Sequence, residues 1–455
     1  MKIINPATEQ VLSVVQDDTA DSIRRKFDLL KDGQAVWCRV ALNDRVNAIK
    51  RFSTLLEGET ETLASILTSE TGKPLQQSKN ELNGARARIK WLTENAEKYL
   101  DDEVMLQDKG LEERIVYEAL GIVCNISAWN YPYLVGVNVF VPALLAGNAV
   151  MYKPSEYATL TGLEIEKLLK RAGVHQDVFH VTIGAGETGE LLLDLPFDGY
   201  FFTGSFKTGK YIYEKVARKM VPCQCELGGK DPLYVADDIK DLKAAAAATA
   251  DGAFYNNGQS CCAVERIYVN EKIYDRYVEE FVREVKSWKL GSPSESGVYI
   301  GPLTRKDQLR ILDDQIQDAI RKGAKVLTGG KPMSQPGYFF QPTVLVDVNH
   351  SMEIMKEESF GPVIGIMKVS GDDEAVELMN DSAYGLTASV YSSDPDRARS
   401  ILGRVSSGTG YWNCCDRVSA AVPWSGRKNS GFGSTLSHIG LRAFTRPKAY
   451  HLRTP

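Results

Sequence analysis

Gly121-Ile-Val-Cys-Asn-Ile-Ser127 lies in a run, residues 119–152, that contains no Asp, Glu, Lys, Arg or His and leads into Asn148-Ala-Val-Met-Tyr-Lys153. Such a length without charge would suit a membrane-spanning helix. Asn125, Asn130, Asn138 and Asn148 interrupt it, however, as do Pro132, Pro142, Gly136 and Gly147. The stretch divides instead into an apolar strand, a turn at Asn130-Tyr-Pro132, an apolar helix and a second apolar strand. Strands with so little polar covering belong in a parallel sheet buried on both faces. The reading is a core strand–helix–strand unit, and no membrane association is expected.

Outward from this unit the alternation continues. Residues 121–228 alternate short apolar strands with helices expected at Leu160–Ala172 and Glu187–Asp194, which argues for a doubly wound α/β sheet. A second α/β series begins near 231, with Pro232-Leu-Tyr-Val-Ala236 as its first strand and an Ala-rich helix over Asp241–Asn256. Strands at Arg266–Asn270 and Gly361–Met367 follow. Upstream, Asn43–Phe52 and Arg86–Leu100 carry apolar residues at helical spacing. Glu112–Glu118 and Ala449–Arg453 read as loose strands.

The 455 residues exceed what one core usually serves, so two or three structural units are expected. Lys and Arg total 54 against 59 Asp and Glu, a net charge of −5, which gives no basic face for nucleic acid. The opening Met1-Lys-Ile-Ile-Asn-Pro-Ala-Thr-Glu-Gln10 has no basic segment followed by an apolar stretch, and the expected address is cytoplasmic. Eight cysteines include the close pairs Cys223/Cys225, Cys261/Cys262 and Cys414/Cys415. Sequence neighbours are poorly placed for unstrained disulfides. No CxxC or paired His accompanies them, so no metal site is expected.

Phe254-Tyr-Asn-Asn-Gly-Gln-Ser-Cys261-Cys-Ala-Val-Glu-Arg266 sets a cysteine in a Gly/Asn-rich loop after the Ala-rich helix, where a nucleophile would be exposed on rigid flanks. A buried, inert thiol is the commoner fate of a cysteine, and Cys261 stands out through its company. Glu226-Leu-Gly-Gly-Lys230 follows a strand-like Met220–Cys225, a place where a carboxylate facing a dry pocket can act as general base. Asn130, in Trp129-Asn-Tyr-Pro132, offers an amide donor for an oxyanion. Phe201-Phe-Thr-Gly-Ser-Phe-Lys-Thr-Gly-Lys210 is a glycine loop entering a helix, suited to a pyrophosphate. It approaches the nucleotide-hydrolase P-loop, but Tyr211 stands where Ser or Thr would bind magnesium. Gly184-Ala-Gly186-Glu-Thr-Gly189 is a partial look-alike of the dinucleotide fingerprint.

Taken together, Ala128-Trp-Asn-Tyr-Pro132, Phe202-Thr-Gly-Ser205, Glu226-Leu-Gly-Gly229, Gly258-Gln-Ser-Cys261 with Arg266, and Glu357-Glu-Ser-Phe-Gly-Pro-Val363 resemble, in order, the signatures of the aldehyde dehydrogenase superfamily. The resemblance spans essentially the whole chain. It implies a Rossmann-like cofactor domain, an α/β catalytic domain and a small β oligomerisation element. These would fall at 1–100 with 120–228, at 229–429, and at 101–119 with 430–455. It implies oxidation of an aldehyde to a carboxylic acid through a thiohemiacetal and thioester on Cys261, with Glu226 as general base. Asn130 and the Cys261 backbone N–H would form the oxyanion hole. The cofactor is expected to be NAD, with NADP as the alternative, held by Trp129, Lys153, Glu156, Gly184, Gly204, Ser205, Leu227, Glu358 and Phe360. NAD is favoured because the Glu156 carboxylate can bond a ribose 2′-hydroxyl and would repel a 2′-phosphate. A homodimer or homotetramer is expected from the same resemblance.

Two departures stand out. Val139 and Thr435 occupy positions where many hydrolytic members carry a Lys and a Glu thought to assist the base. Asn138 stands where some succinate-semialdehyde members carry Arg, and Arg417 is a candidate replacement. The resemblance puts Tyr131, Leu134, Asn138, Cys262, Arg417, Val418 and Trp424 around a small or medium aliphatic aldehyde or a semialdehyde such as succinate semialdehyde. Alternatives are a coenzyme A-acylating dehydrogenase and a non-catalytic structural member of the fold.

Overall fold

A computed structural model describes residues 1–454 and organises them around three principal sheets. The first has six strands in the order Gly431–Phe432, Cys223–Glu226, Gly199–Thr203, Ile122–Ile126, Ala149–Lys153, Phe179–Val181. All neighbours are parallel except Gly431–Phe432, which runs antiparallel to Cys223–Glu226. Ile122–Ile126 is an interior strand of this sheet, buried as read, with Val123 and Cys124 fully covered. From it the chain builds outward through Ala149–Lys153 and Phe179–Val181, then returns to build the other side from Gly199–Thr203. That reversal opens a crevice at the carboxyl ends of the two strands, where ligands bind in open α/β sheets.

The apolar helix is Pro132–Leu145, with Pro at its first position, where its missing N–H costs nothing. Its amino end is met by the Glu81 carboxylate, which accepts from the Tyr133 N–H at 2.8 Å. Among the described residues no helix is long and apolar enough to cross a membrane. Helices Leu42–Gly58, Leu75–Leu100 and Thr159–Arg171 pack with it on the same core.

The second sheet has seven strands in the order Lys325–Thr328, Thr343–Val346, Val363–Val369, Val264–Asn270, Asp231–Val235, Thr387–Tyr391, Thr409–Trp412. It is parallel except at Lys325–Thr328. The third is antiparallel: Thr445–Arg453 pairs with Leu111–Ala119, which pairs with Glu103–Asp108. Of the span 430–455, then, only Thr445–Arg453 joins the small sheet, while Gly431–Phe432 closes an edge of the first.

One element ends earlier than its composition predicts. The Ala-rich helix is Leu242–Phe254, not a helix to Asn256. Asn256, Asn257 and Gly258 take φ values of +53°, +57° and +68°, a left-handed run tolerated by Asn and Gly that breaks the helix. At Gly258 a Cβ would lie 2.3 Å from the Gly361 carbonyl oxygen, so only glycine fits. This break turns the chain into the Cys261 loop.

Candidate active site

The crevice at the reversal is a cavity of about 510 Å³, within the range of small-molecule sites. Ile126 to Asn130 and Thr203 to Ser205, both following central strands, form its floor. Of the residues expected at the cofactor, Trp129, Lys153, Glu156, Gly204, Ser205, Leu227, Glu358 and Phe360 all line it. Gly184 does not. Its φ of +148° serves the turn before the helix Gly186–Asp194, and a Cβ there would strike the Thr188 hydroxyl at 1.9 Å. Gly186 and Gly189 line the cavity in its place. The Phe201–Lys210 motif is strand, turn and helix as read, with Ser205 capping Phe206–Val216 by accepting from the Thr208 N–H. Lys210 is exposed, faces Glu214 at 3.9 Å and does not line the cavity.

A second cavity of about 720 Å³ lies beyond, lined by Tyr131, Leu134, Asn138, Cys262, Arg417, Val418 and Trp424. All seven residues expected around the substrate therefore face one space. Cys261, Glu226 and Thr203 line both cavities. Cys261 is half-buried and lies where the two cavities meet. Its neighbour differs: Cys262 is 4% exposed and donates to Asp416 Oδ1 at 2.9 Å. The adjacent Cys261 thiol, followed by burial, pushes the Cys262 thiol up and keeps it protonated. All eight cysteines are free.

Asn130 is buried at the wall of the first cavity, and its Oδ1 has no hydrogen-bond partner among the described residues. Its main chain, by contrast, is fixed. The Asn130 carbonyl accepts from Lys73 Nζ at 2.7 Å and from Asn256 Nδ2 at 3.1 Å. Lys73, 1% exposed, also pairs with Glu81, the carboxylate that meets the apolar helix. The pair thus ties the amide-bearing turn to the helix start, and Asn256 ties it to the cysteine loop. Sequence reasoning did not find Lys73 or Glu81.

Glu226 ends the strand Cys223–Glu226. Burial raises its carboxyl from 4.5 to about 7, opposed by a hydrogen bond from Thr435 and by the charge of Arg88. Thr435 Oγ1 donates directly to Glu226 Oε1, so the residue at that departure from the family pattern does touch the carboxylate. Val139 is a buried core residue. Arg88 lines the second cavity and was not singled out in the sequence.

A polar scaffold sets the far wall. Lys230 Nζ pairs with Glu265 at 2.6 Å and bonds Ser359 Oγ at 3.0 Å. Glu265 accepts from the N–H groups of Ser359 and Phe360, holding Phe360 at a left-handed φ of +48°. Its ring meets Trp129 edge-on at 5.4 Å. Glu358 accepts from the Gly229 N–H at 3.0 Å, and burial, then Glu265, raises its carboxyl. Arg266 is 1% exposed and donates to the carbonyls of Lys230, Leu378 and Met379. It braces strands and does not face either cavity.

The sequence profile described as the aldehyde dehydrogenase family matches residues 1–450. A succinate-semialdehyde dehydrogenase (NADP+) of Deinococcus radiodurans is 33% identical over 446 residues, covering 98% of this chain and 93% of that protein. A betaine aldehyde dehydrogenase of Bacillus subtilis is 32% identical over 465 residues, covering 99% and 94%. The crystal structure of an aldehyde dehydrogenase from Pseudomonas aeruginosa superposes with a TM-score of 0.97 at 30% identity, covering 100% of this chain and 93% of that one.

Proposed function

The chain belongs to the aldehyde dehydrogenase family, and from that membership we propose that it oxidises an aldehyde to a carboxylic acid by covalent catalysis at Cys261, with NAD or NADP. The observation that carries this reading is the position of Cys261 and Glu226 on the shared wall of two cavities. One cavity suits a dinucleotide and the other an aldehyde.

The first cavity fits the cofactor. Lys153 is 4% exposed, yet its ammonium has a single acceptor, the Pro154 carbonyl at 3.3 Å, among the described residues. A buried ammonium with unused donors beside Glu156 suits the hydroxyls of a ribose. Helix starts at Gly186 and Phe206 present backbone N–H groups to a pyrophosphate. Glu156 favours NAD by repelling a 2′-phosphate. The bound nicotinamide supplies the hydride acceptor.

Where the two cavities meet, the Cys261 thiolate adds to the aldehyde carbon, and the carbonyl oxygen takes the electron pair. Asn130, with the Cys261 backbone N–H, stabilises that oxyanion, from a turn fixed by Lys73 and Asn256. Collapse of the oxyanion expels hydride and leaves a thioester on Cys261. Glu226 then takes a proton from water, which attacks the thioester and frees the acid. A carboxyl near pH 7 is matched to that task.

We read residues 1–100 with 120–228 as the cofactor unit, 229–429 as the catalytic unit, and 101–119 with 430–455 as an element that mediates homo-oligomerisation. Support for the last comes from the edge strand Glu103–Asp108, which exposes Val104, Met105 and Leu106. An apolar open edge is suited to cover by a second copy.

The test is a panel of aldehydes with NAD and with NADP. Cys261→Ala should abolish turnover and Cys262→Ala retain most of it. Full turnover by Cys261→Ala would remove the nucleophile and the reading with it.

A further inference from the structure

The cavity on the aldehyde side of Cys261 contains a buried guanidinium that no carboxylate of the described residues pairs with directly. Arg88, on the helix Leu75–Leu100, is 9% exposed and lines that cavity. Its Nη1 donates to the Leu134 carbonyl at 3.0 Å and to Asn138 Oδ1 at 2.9 Å. Both acceptors are neutral. Among the described residues no carboxylate forms an ion pair with Arg88, and its remaining guanidinium donors have no protein acceptor.

Buried cations are ordinarily paired, because a charge taken from water is costly unless an anion replaces the solvent. The acids on the same wall already have partners. Glu81 pairs with Lys73, Glu226 accepts from Thr435 and meets Arg88 only beyond ion-pair distance, Asp251 accepts from the Tyr299 hydroxyl, and Asp416 accepts from Cys262 and Ser260. Arg417, exposed at this cavity, has no acidic partner either. The unanswered charges are positive.

We propose that Arg88 anchors a carboxylate at the far end of the aldehyde substrate, so that the substrates are short aldehydes carrying a carboxylate. Leu134 and Asn138 fix one arm of the guanidinium and leave the others for the two carboxylate oxygens, a match of planar groups that lysine does not offer. The same charge repels an ammonium-bearing aldehyde. Arg88 also favours the ionised form of Glu226, and the experiment has to separate that effect from recognition. The proposal rests on Cys261 being the nucleophile.

The test compares kcat/KM for succinate semialdehyde, butanal and 4-aminobutanal in the wild type, Arg88→Met and Arg88→Lys, over a range of pH. The wild type should prefer the carboxylated aldehyde by more than tenfold. Arg88→Met should cut the ratio to butanal by at least about 30-fold, mainly through KM, the scale expected when a buried charge loses its partner. Arg88→Lys should restore part of it. Succinate should inhibit wild-type butanal oxidation competitively and Arg88→Met far less. Equal losses for carboxylated and neutral aldehydes, with a displaced pH profile, would assign Arg88 to Glu226 and overturn recognition. Wild-type preference below tenfold overturns it without any variant. If the wild type turns over no aldehyde at all, the Cys261 reading falls, and this proposal with it.

Discussion

Thr435→Val should displace the pH dependence of acid release upward by about one to two pH units. Thr435 is 2% exposed, and its hydroxyl donates to Glu226 Oε1. A hydrogen bond to an ionised group contributes about 1.5–3 kcal/mol, and about 1.4 kcal/mol corresponds to one pH unit. With the bond in place burial holds Glu226 at about 7. The bond stabilises the carboxylate, so its loss favours the neutral acid and takes the group to about 8–9. At pH 7.5 the ionised fraction then falls from about three quarters to between about a quarter and a thirtieth, slowing deacylation about 3- to 25-fold. Valine fills nearly the same volume, so little else changes. The assay is stopped-flow NADH formation from pH 6 to 10, where the burst reports thioester formation and the steady phase reports water attack. The burst should persist, the steady phase should shift, and wild type and variant should converge at the alkaline end. An unmoved profile would refute the role of Thr435. Burst and steady phases falling together at every pH would refute Glu226 as the base for water.

Three further outcomes follow from the same geometry. Glu226→Gln should give a burst of NADH and then stall, because the thioester still forms but water is not deprotonated; normal steady turnover would end its role. Asn130→Ala should lower kcat/KM by about 10²–10³-fold while cofactor binding, read by NADH fluorescence, stays within twofold. Lys73→Met should lower stability by about 3–5 kcal/mol, since it strands the buried Glu81 carboxylate. Its urea midpoint should fall accordingly, and an unchanged midpoint would show the pair to be dispensable.

The fold was legible where apolar composition alone decided it. A charge-free run broken by Asn, Pro and Gly admits few solutions other than strand, helix, strand, and those elements lie within a residue or two of their expected places. The Cys261 loop was legible through its glycine and asparagines, but not its start, because Ala-rich sequence favours helix up to the point where tertiary contacts enforce the left-handed turn. Gly184, in a stretch with a partial dinucleotide spacing of glycines, was placed at the cofactor by the resemblance. Spacing does not say whether a glycine faces a ligand or yields room to its own helix, and here Thr188 takes the room.

What stayed hidden depends on long-range partners. Thr435 meets Glu226 across 209 residues of sequence; the resemblance marked its position as one that serves the base, but no local pattern marks a threonine for that contact. Arg88 is different, because a signal was present. The buried face of its helix runs through Leu82, Ala85, Arg88, Ile89 and Leu92, so the arginine falls on the apolar stripe at helical spacing. Arg86 and Lys90 beside it sit off that stripe, Arg86 paired with Glu57 and Lys90 exposed. A charge on the face that packs inward has to be answered by an anion, by water or by a ligand. Glu81 obeys the rule on the same stripe and is answered by Lys73. Arg88 has no such direct partner among the described residues, only the more distant Glu226, so its position on the stripe is the sequence signal from which the proposed carboxylate anchor could have been suspected.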